Sequence, residues 1–309
     1  MTPALSPRVR RITLDGAGVT LSALLSEAGP AYPAEDRDAA GTPGTEPRAT
    51  VVALHGGGMS AGYFDGQAHP DLSLLTLGAR LGWTVLAVDR PGYGASAAAL
   101  PDGQTLTAQA AILRAALRDF ASRFRTGAGL FLLAHSYGGK LALTCAADPD
   151  GLALLGLDIS GCGHLYATDI GDVTEQGGGW RRNWGVLGLY PPNAFRLSES
   201  LVSPMPDRER REAARWPEIF PGLAARIRVP VRLTFAGHEY WWRHDSEAIA
   251  DLTARLSAAP RVEVDRQPDA GHNISLGWAA RAYHLRALAF AEECRAGLDI
   301  NVRSVPTSC

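Results

Sequence analysis

The sequence predicts an α/β fold: a mostly parallel sheet covered on both faces by helices, with one inserted lid. Three observations carry that expectation. Short apolar runs alternate with segments of helical spacing along most of the 309 residues. Those runs are continuously apolar, as strands buried on both faces must be. The alternation fails once, over residues 164–226, where Trp, Pro, Gly and Arg follow no period. A strandless stretch of that length reads as an insertion rather than a plain connection.

The elements follow in order. Residues 10–15 (RRITLD) and 19–28 (VTLSALLSEA) read as two strands around a turn. Residues 29–48 mix Pro, Gly and charge without period and read as a surface loop. A β-branched apolar run then ends in the glycines of HGGG, residues 55–58. Residues 72–82 have helical spacing, and 83–94 form a strand ending in the tight turn DRPGYG. Residues 107–124 are an amphipathic helix with Ile112, Leu113, Ala116, Leu117 and Phe120 on its apolar side. A strand at 130–135, a helix at 137–148 and a strand at 153–161 come next. Beyond the insertion the order is strand 229–237, helix 245–257, strand 261–267 and helix 278–296. The domain plan is therefore a core of residues 1–163 and 227–296, a lid at 164–226 and a loose tail at 297–309.

The totals narrow the function. A formal charge of −2 gives no sign of a nucleic-acid partner. No run of about 18 apolar residues is present, so no membrane span is expected. The first residues lack an apolar core after a basic start, so no signal peptide is expected either. Cys145, Cys162, Cys294 and Cys309 show no C-x-x-C spacing. They read as reduced thiols of a cytoplasmic protein, with neither a zinc site nor a disulfide frame. No cofactor and no metal are expected. Lys140 is the single lysine of the chain.

The chemistry starts at Ala134-His135-Ser136-Tyr137-Gly138, set between a strand and a helix. A serine at such a junction sits on a sharp, strained turn that lifts its hydroxyl above the sheet. Ala134 and Gly138 leave room for that turn. Backbone N–H groups at the following helix start supply positive potential beside it. Ser136 is thus the candidate nucleophile. The N–H of Tyr137, with that of Gly57 or Gly58, would face a developing oxyanion. His272 follows a late strand and precedes the last helix, a loop position that suits a general base. Glu239, on the loop after strand 229–237, is the leading candidate to orient it. Asp158 and Asp245 are the alternatives, the latter also a natural helix cap. His55 and His135 read as structural residues that support their turns.

Taken together, these stretches resemble the α/β-hydrolase superfamily, in a serine-nucleophile branch with a lid. The residues that carry the resemblance are His55-Gly56-Gly57-Gly58, Asp89 to Ser96, Ala134 to Gly139, and Ala270-Gly271-His272. The order Ser136, Glu239, His272 is the order that family uses. Ala134 departs from the usual glycine, and Glu239 from the usual aspartate. The resemblance implies an α/β-hydrolase fold and acyl transfer through an acyl-serine. A serine rather than an aspartate nucleophile argues against epoxide opening and dehalogenation. The expected activity is hydrolysis of an ester or thioester with a bulky apolar acyl group, free or carrier-bound, by an esterase or thioesterase. A cyclase, an acyltransferase or a C–C hydrolase of secondary metabolism would use the same triad. A ligand-binding protein would keep only the pocket. Trp184, Tyr190 and Trp241 are the candidate substrate-binding residues. Arg181 and Arg182 read as solvated, with a role in meeting a substrate carboxylate or a carrier phosphate as the alternative.

Overall fold

A computed structural model describes residues 4–29, 46–169, 171 and 179–303, with side chains in the last helix described as far as Gly297. Its frame is an eight-stranded sheet. The strands are β1 (Arg10–Asp15), β2 (Thr20–Ser26), β3 (Thr50–Leu54), β4 (Thr84–Val88), β5 (Leu130–His135), β6 (Leu154–Ser160), β7 (Val231–His238) and β8 (Val262–Gly271). They run in the spatial order β1-β2-β4-β3-β5-β6-β7-β8. The β1–β2 and β2–β4 pairs are antiparallel, and every later pair is parallel. β3, β4 and β5 are buried along their whole length, which is why their sequences are apolar on both faces.

Helices cover the two faces. On one face lie α2 (Leu106–Arg123) and α3 (Tyr137–Ala147). There Leu113, Leu117 and Phe120 pack with Leu141 and Cys145. Thr105 starts α2 by accepting a hydrogen bond from the N–H of Ala108. On the other face lie α1 (Leu74–Arg80) and α9 (Ala280–Arg303), which bring Leu74, Leu75, Tyr283 and Phe290 together. Asp245, one of the candidate acids, caps α8 (Ser246–Arg255) through the N–H of Ala248.

Between β6 and β7 the described chain includes the α-helices α4 (Trp180–Trp184), α5 (Ala194–Ser198), α6 (Asp207–Ala214) and α7 (Trp216–Ala224), with short 3-10 turns at Leu187–Leu189 and Glu199–Leu201. The first two bring Trp184 and Phe195 into edge-on contact with each other and with Tyr190. The last two differ. Trp216, Phe220 and Leu223 join the main core beside α3. The segment thus contributes one aromatic cluster of its own and one set of side chains to the main core.

Two boundaries differ from the sequence expectation. The last helix passes Gly297 and ends at Arg303, because one glycine costs a helix only about 1 kcal/mol. The loose tail is thus corrected over 297–303, while residues 304–309 lie outside the described residues, as does most of the expected loop at 29–48. Strand β8 continues to Gly271, through polar residues with no strand pattern.

Burial sets a pH dependence. His55 and His135 are fully enclosed, and burial holds their imidazoles well below the ordinary range. Burial likewise lowers His284 to about 3. The unfolded chain takes up protons below about pH 6.5, and these folded sites do not. Their contribution is therefore complete above pH 6.5 and is lost as pH falls below it. Each site should cost about 1.4 kcal/mol per pH unit there. Urea midpoints measured at pH 7.5, 6.5 and 5.5 should fall steeply over the last interval, and His284→Gln should flatten that fall.

Candidate active site

Ser136 joins β5 to α3 with φ 53° and ψ −117°. A non-glycine residue with positive φ is strained by about 1–3 kcal/mol and persists only where its surroundings hold it. Here the Ser136 N–H bonds to the Ser160 carbonyl, and the Ser136 carbonyl accepts from Gly139. The small residues beside Ser136 are closely packed. A side chain on Gly138 would meet the Leu54 carbonyl oxygen at 2.2 Å. One on Gly139 would meet Ile159 at 2.5 Å. The small residues thus make room for the ends of β3 and β6. Among the described residues, Ser136 Oγ makes no hydrogen bond.

His272 follows the end of β8 and is buried. Its Nδ1 lies 2.8 Å from Glu239 Oε2 and 3.1 Å from Oε1. The carboxylate therefore fixes the proton on Nδ1 and leaves Nε2 as the basic nitrogen. Glu239 is itself held, because the Trp241 N–H donates to Oε1 at 2.9 Å. The other candidate acids are engaged elsewhere. Asp158 pairs with Arg232 and accepts from the Tyr283 hydroxyl. Asp245 is the helix cap already described. His55 and His135 hold structure: His55 accepts from the Arg90 N–H, and His135 stacks on Tyr63 at 4.7 Å.

The glycine loop lies over the same end of the sheet. Gly58 has φ 70°, and its N–H donates to the Tyr93 hydroxyl at 3.1 Å. Gly57, Gly58, Ser136 and Tyr137 all line one cavity of about 570 Å³. Trp184 and Trp241 line it as well. Tyr190 does not, and packs instead behind Trp184. A second cavity, of about 410 Å³ between β2 and the segment after α5, excludes Ser136. The insertion is tied to both loops of the dyad. The Trp241 indole N–H donates to Asn183 Oδ1, and the Asn273 N–H donates to the Asn183 carbonyl.

Residues 51–292 match the alpha/beta hydrolase family. The chain belongs to that family. No curated protein matches it. Among solved structures it is similar to a thermostable carboxyl esterase from Bacillus coagulans, with TM-score 0.65 and 14% identity over 94% of this chain and 100% of that one. It is similar to a mutant of the N-acyl homoserine lactonase AidH, with TM-score 0.62 and 14% identity over 93% and 97%. It is also similar to a serine hydrolase involved in carbazole degradation, with TM-score 0.58 and 16% identity over 92% and 99%. Likeness at these identities speaks for the fold.

In this alpha/beta hydrolase a network unseen in the sequence reading anchors the glycine loop. Arg90 is fully buried. Its guanidinium donates to the carbonyls of His55 and Gly56, at 2.8 and 3.1 Å. Its other face pairs with both carboxylate oxygens of Glu209 on α6, each at 2.8 Å. Glu209 also accepts from the Tyr93 hydroxyl at 2.7 Å. Only Asp89-Arg90-Pro91-Gly92-Tyr93 hinted at this; Glu209 sits in an acidic and basic run that looks like any solvated helix.

Replacing one member of such a pair leaves a buried charge alone. Glu209→Gln should cost about 3 to 5 kcal/mol of stability. Turnover per folded molecule should also fall, because the loop carbonyls lose their clamp. Urea unfolding with kinetics on the folded fraction checks both.

Proposed function

We propose that the protein is a serine hydrolase that cleaves a carboxylic ester or thioester through an acyl-serine. The observation that carries this reading is the buried contact of His272 Nδ1 with Glu239, 2.8 Å long, beside a cavity lined by the strained Ser136. In the proposed reaction His272 Nε2 takes the proton of Ser136 Oγ as Oγ bonds to the acyl carbon. Glu239 keeps the imidazole oriented and stabilises its cation. The substrate oxygen gains the negative charge. We assign its stabilisation to the N–H groups of Tyr137 and Gly57, since the Gly58 N–H already serves Tyr93. His272 then gives its proton to the leaving oxygen or sulfur. Water, deprotonated by the same nitrogen, releases the acid and restores Ser136.

Residues 164–226 act in this reading as a lid, with α4 over the cavity mouth. Trp184 and Trp241 would form the apolar wall against the acyl group. Tyr190 would act only by supporting Trp184. The buried free thiols Cys145, Cys162 and Cys294 suit a reducing compartment such as the cytoplasm. Esterases and a lactonase among the structural neighbours fit the same chemistry.

A fluorophosphonate probe should label the protein once, at Ser136. Ser136→Ala should abolish labelling and lower turnover about a thousandfold or more while the melt stays two-state. Glu239→Gln should lower turnover about a hundredfold or more with labelling slowed. Full activity in folded Ser136→Ala protein would end the proposal. Trp184→Ala should change the ratio of turnover efficiencies between long and short acyl esters by about tenfold or more. An equal loss on every chain length would place Trp184 outside the acyl pocket.

A further inference from the structure

The only lysine of the chain is buried one helical turn beyond Ser136, on α3. Lys140 Nζ stands among four aromatic rings. The Trp242 centroid is 4.5 Å away, and those of Trp216, Tyr137 and Tyr166 are 5.5, 5.6 and 5.7 Å away. Ring faces attract a cation, and more strongly when water is excluded. They cannot hydrogen-bond its three N–H donors in the way a carboxylate can. Among the described residues Nζ has no ion pair and no hydrogen bond. The ionisable groups that favour its charge are the Cys162 thiol and Glu209, and the Glu209 carboxylate is already paired with Arg90.

A buried unpaired ammonium is expensive, and burial pulls its pKa below the usual lysine range. A packing role would be better filled by Met or Leu. Lys140, however, lines the same cavity as Ser136. Among the described lining residues none is Asp or Glu, and the other cation there, Arg210, is engaged by the Met205 carbonyl and Asp207. The cavity therefore offers an apolar wall, a nucleophile and one charge of unsatisfied sign.

We infer that Lys140 is a specificity residue that receives a carboxylate carried on the acyl part of the substrate. This deepens the acyl-serine reading and rests on it for the location of the acyl group. The substrate class is then a half-ester or half-thioester of a dicarboxylic acid. Trp242 and Tyr166, which line the cavity, flank the acyl chain's charged end and exclude water from the new ion pair. An anion so held is drawn to the cavity floor, and its ester carbonyl is left at Ser136.

Because Lys140 is the single lysine, protein grown with [¹³Cε]lysine gives one Cε resonance in the full chain. Hemi-amides of succinic, glutaric and adipic acids are the probes, with the matching diamides as neutral controls. At least one hemi-amide should shift the resonance and raise its titration midpoint, and the diamides should not. The kinetic arm compares mono-p-nitrophenyl glutarate with p-nitrophenyl butyrate. Lys140→Met, close in length and volume, should lower the ratio of their kcat/KM values tenfold or more. A resonance indifferent to all three anions overturns the inference. So does a Lys140→Met protein with an unchanged ratio, which would make the lysine a structural cation. If the variant does not fold, the resonance decides alone. Both outcomes are separable from failure of the acyl-serine reading, since the resonance reports binding without turnover and fluorophosphonate labelling reports Ser136.

Discussion

The bidentate contact between Arg90 and Glu209 is the constraint on which the rest of the site depends. It lies with no access to water, between the glycine loop after β3 and helix α6 of the insertion. A buried ion pair is weak evidence of net stability, because desolvation offsets most of its attraction. Its value here is positional. The guanidinium reaches the carbonyls of His55 and Gly56 from one side and the α6 carboxylate from the other. The loop cannot shift without uncovering a charge. Through Tyr93 the same carboxylate reaches the Gly58 N–H, so the direction of that N–H is fixed as well.

A second set of constraints comes from the sheet. The ends of β3, β5 and β6 meet at the turn that carries Ser136. The Leu54 carbonyl excludes any side chain at position 138, and Ile159 excludes one at 139. The turn then has one way to leave β5, which places residue 136 at positive φ. Strain at the serine is held by contacts that are ordinary elsewhere in the sheet. Gly161, at the end of β6, is close-packed too: a side chain there would approach the His272 ring at 2.8 Å. Loops after three strands are thus brought within touching distance by glycine.

The insertion couples these loops to the cavity. Asn183 bonds to Trp241 and to the backbone beyond His272, while Trp216 bonds to the Gly163 carbonyl at 2.8 Å. A segment that began as a break in sequence rhythm is knitted to the core at both of its ends. These hydrogen bonds lie beside the His272–Glu239 contact, so the segment before β7 and the two loops of that contact are held together.

The sequence by itself determined the sheet, its helices and the serine turn. Each rests on local rules: continuous apolar runs, helical spacing, and small residues around Ser136. It also determined that His272 and Glu239 stand on loops after late strands, since order along the chain decides which sheet edge a loop reaches. The tertiary structure alone decided the rest. It gave Glu239 to His272, and Asp158 to Arg232, which it meets only when β6 and β7 pair. It gave the Gly58 N–H a partner, the Tyr93 hydroxyl, that arrives from another loop. It left Tyr190 off the cavity wall and brought in Lys140, three of whose four rings come from segments far apart in sequence. Residues that act through partners distant in the chain leave no periodic mark, because periodicity records which face is buried and not what it is buried against.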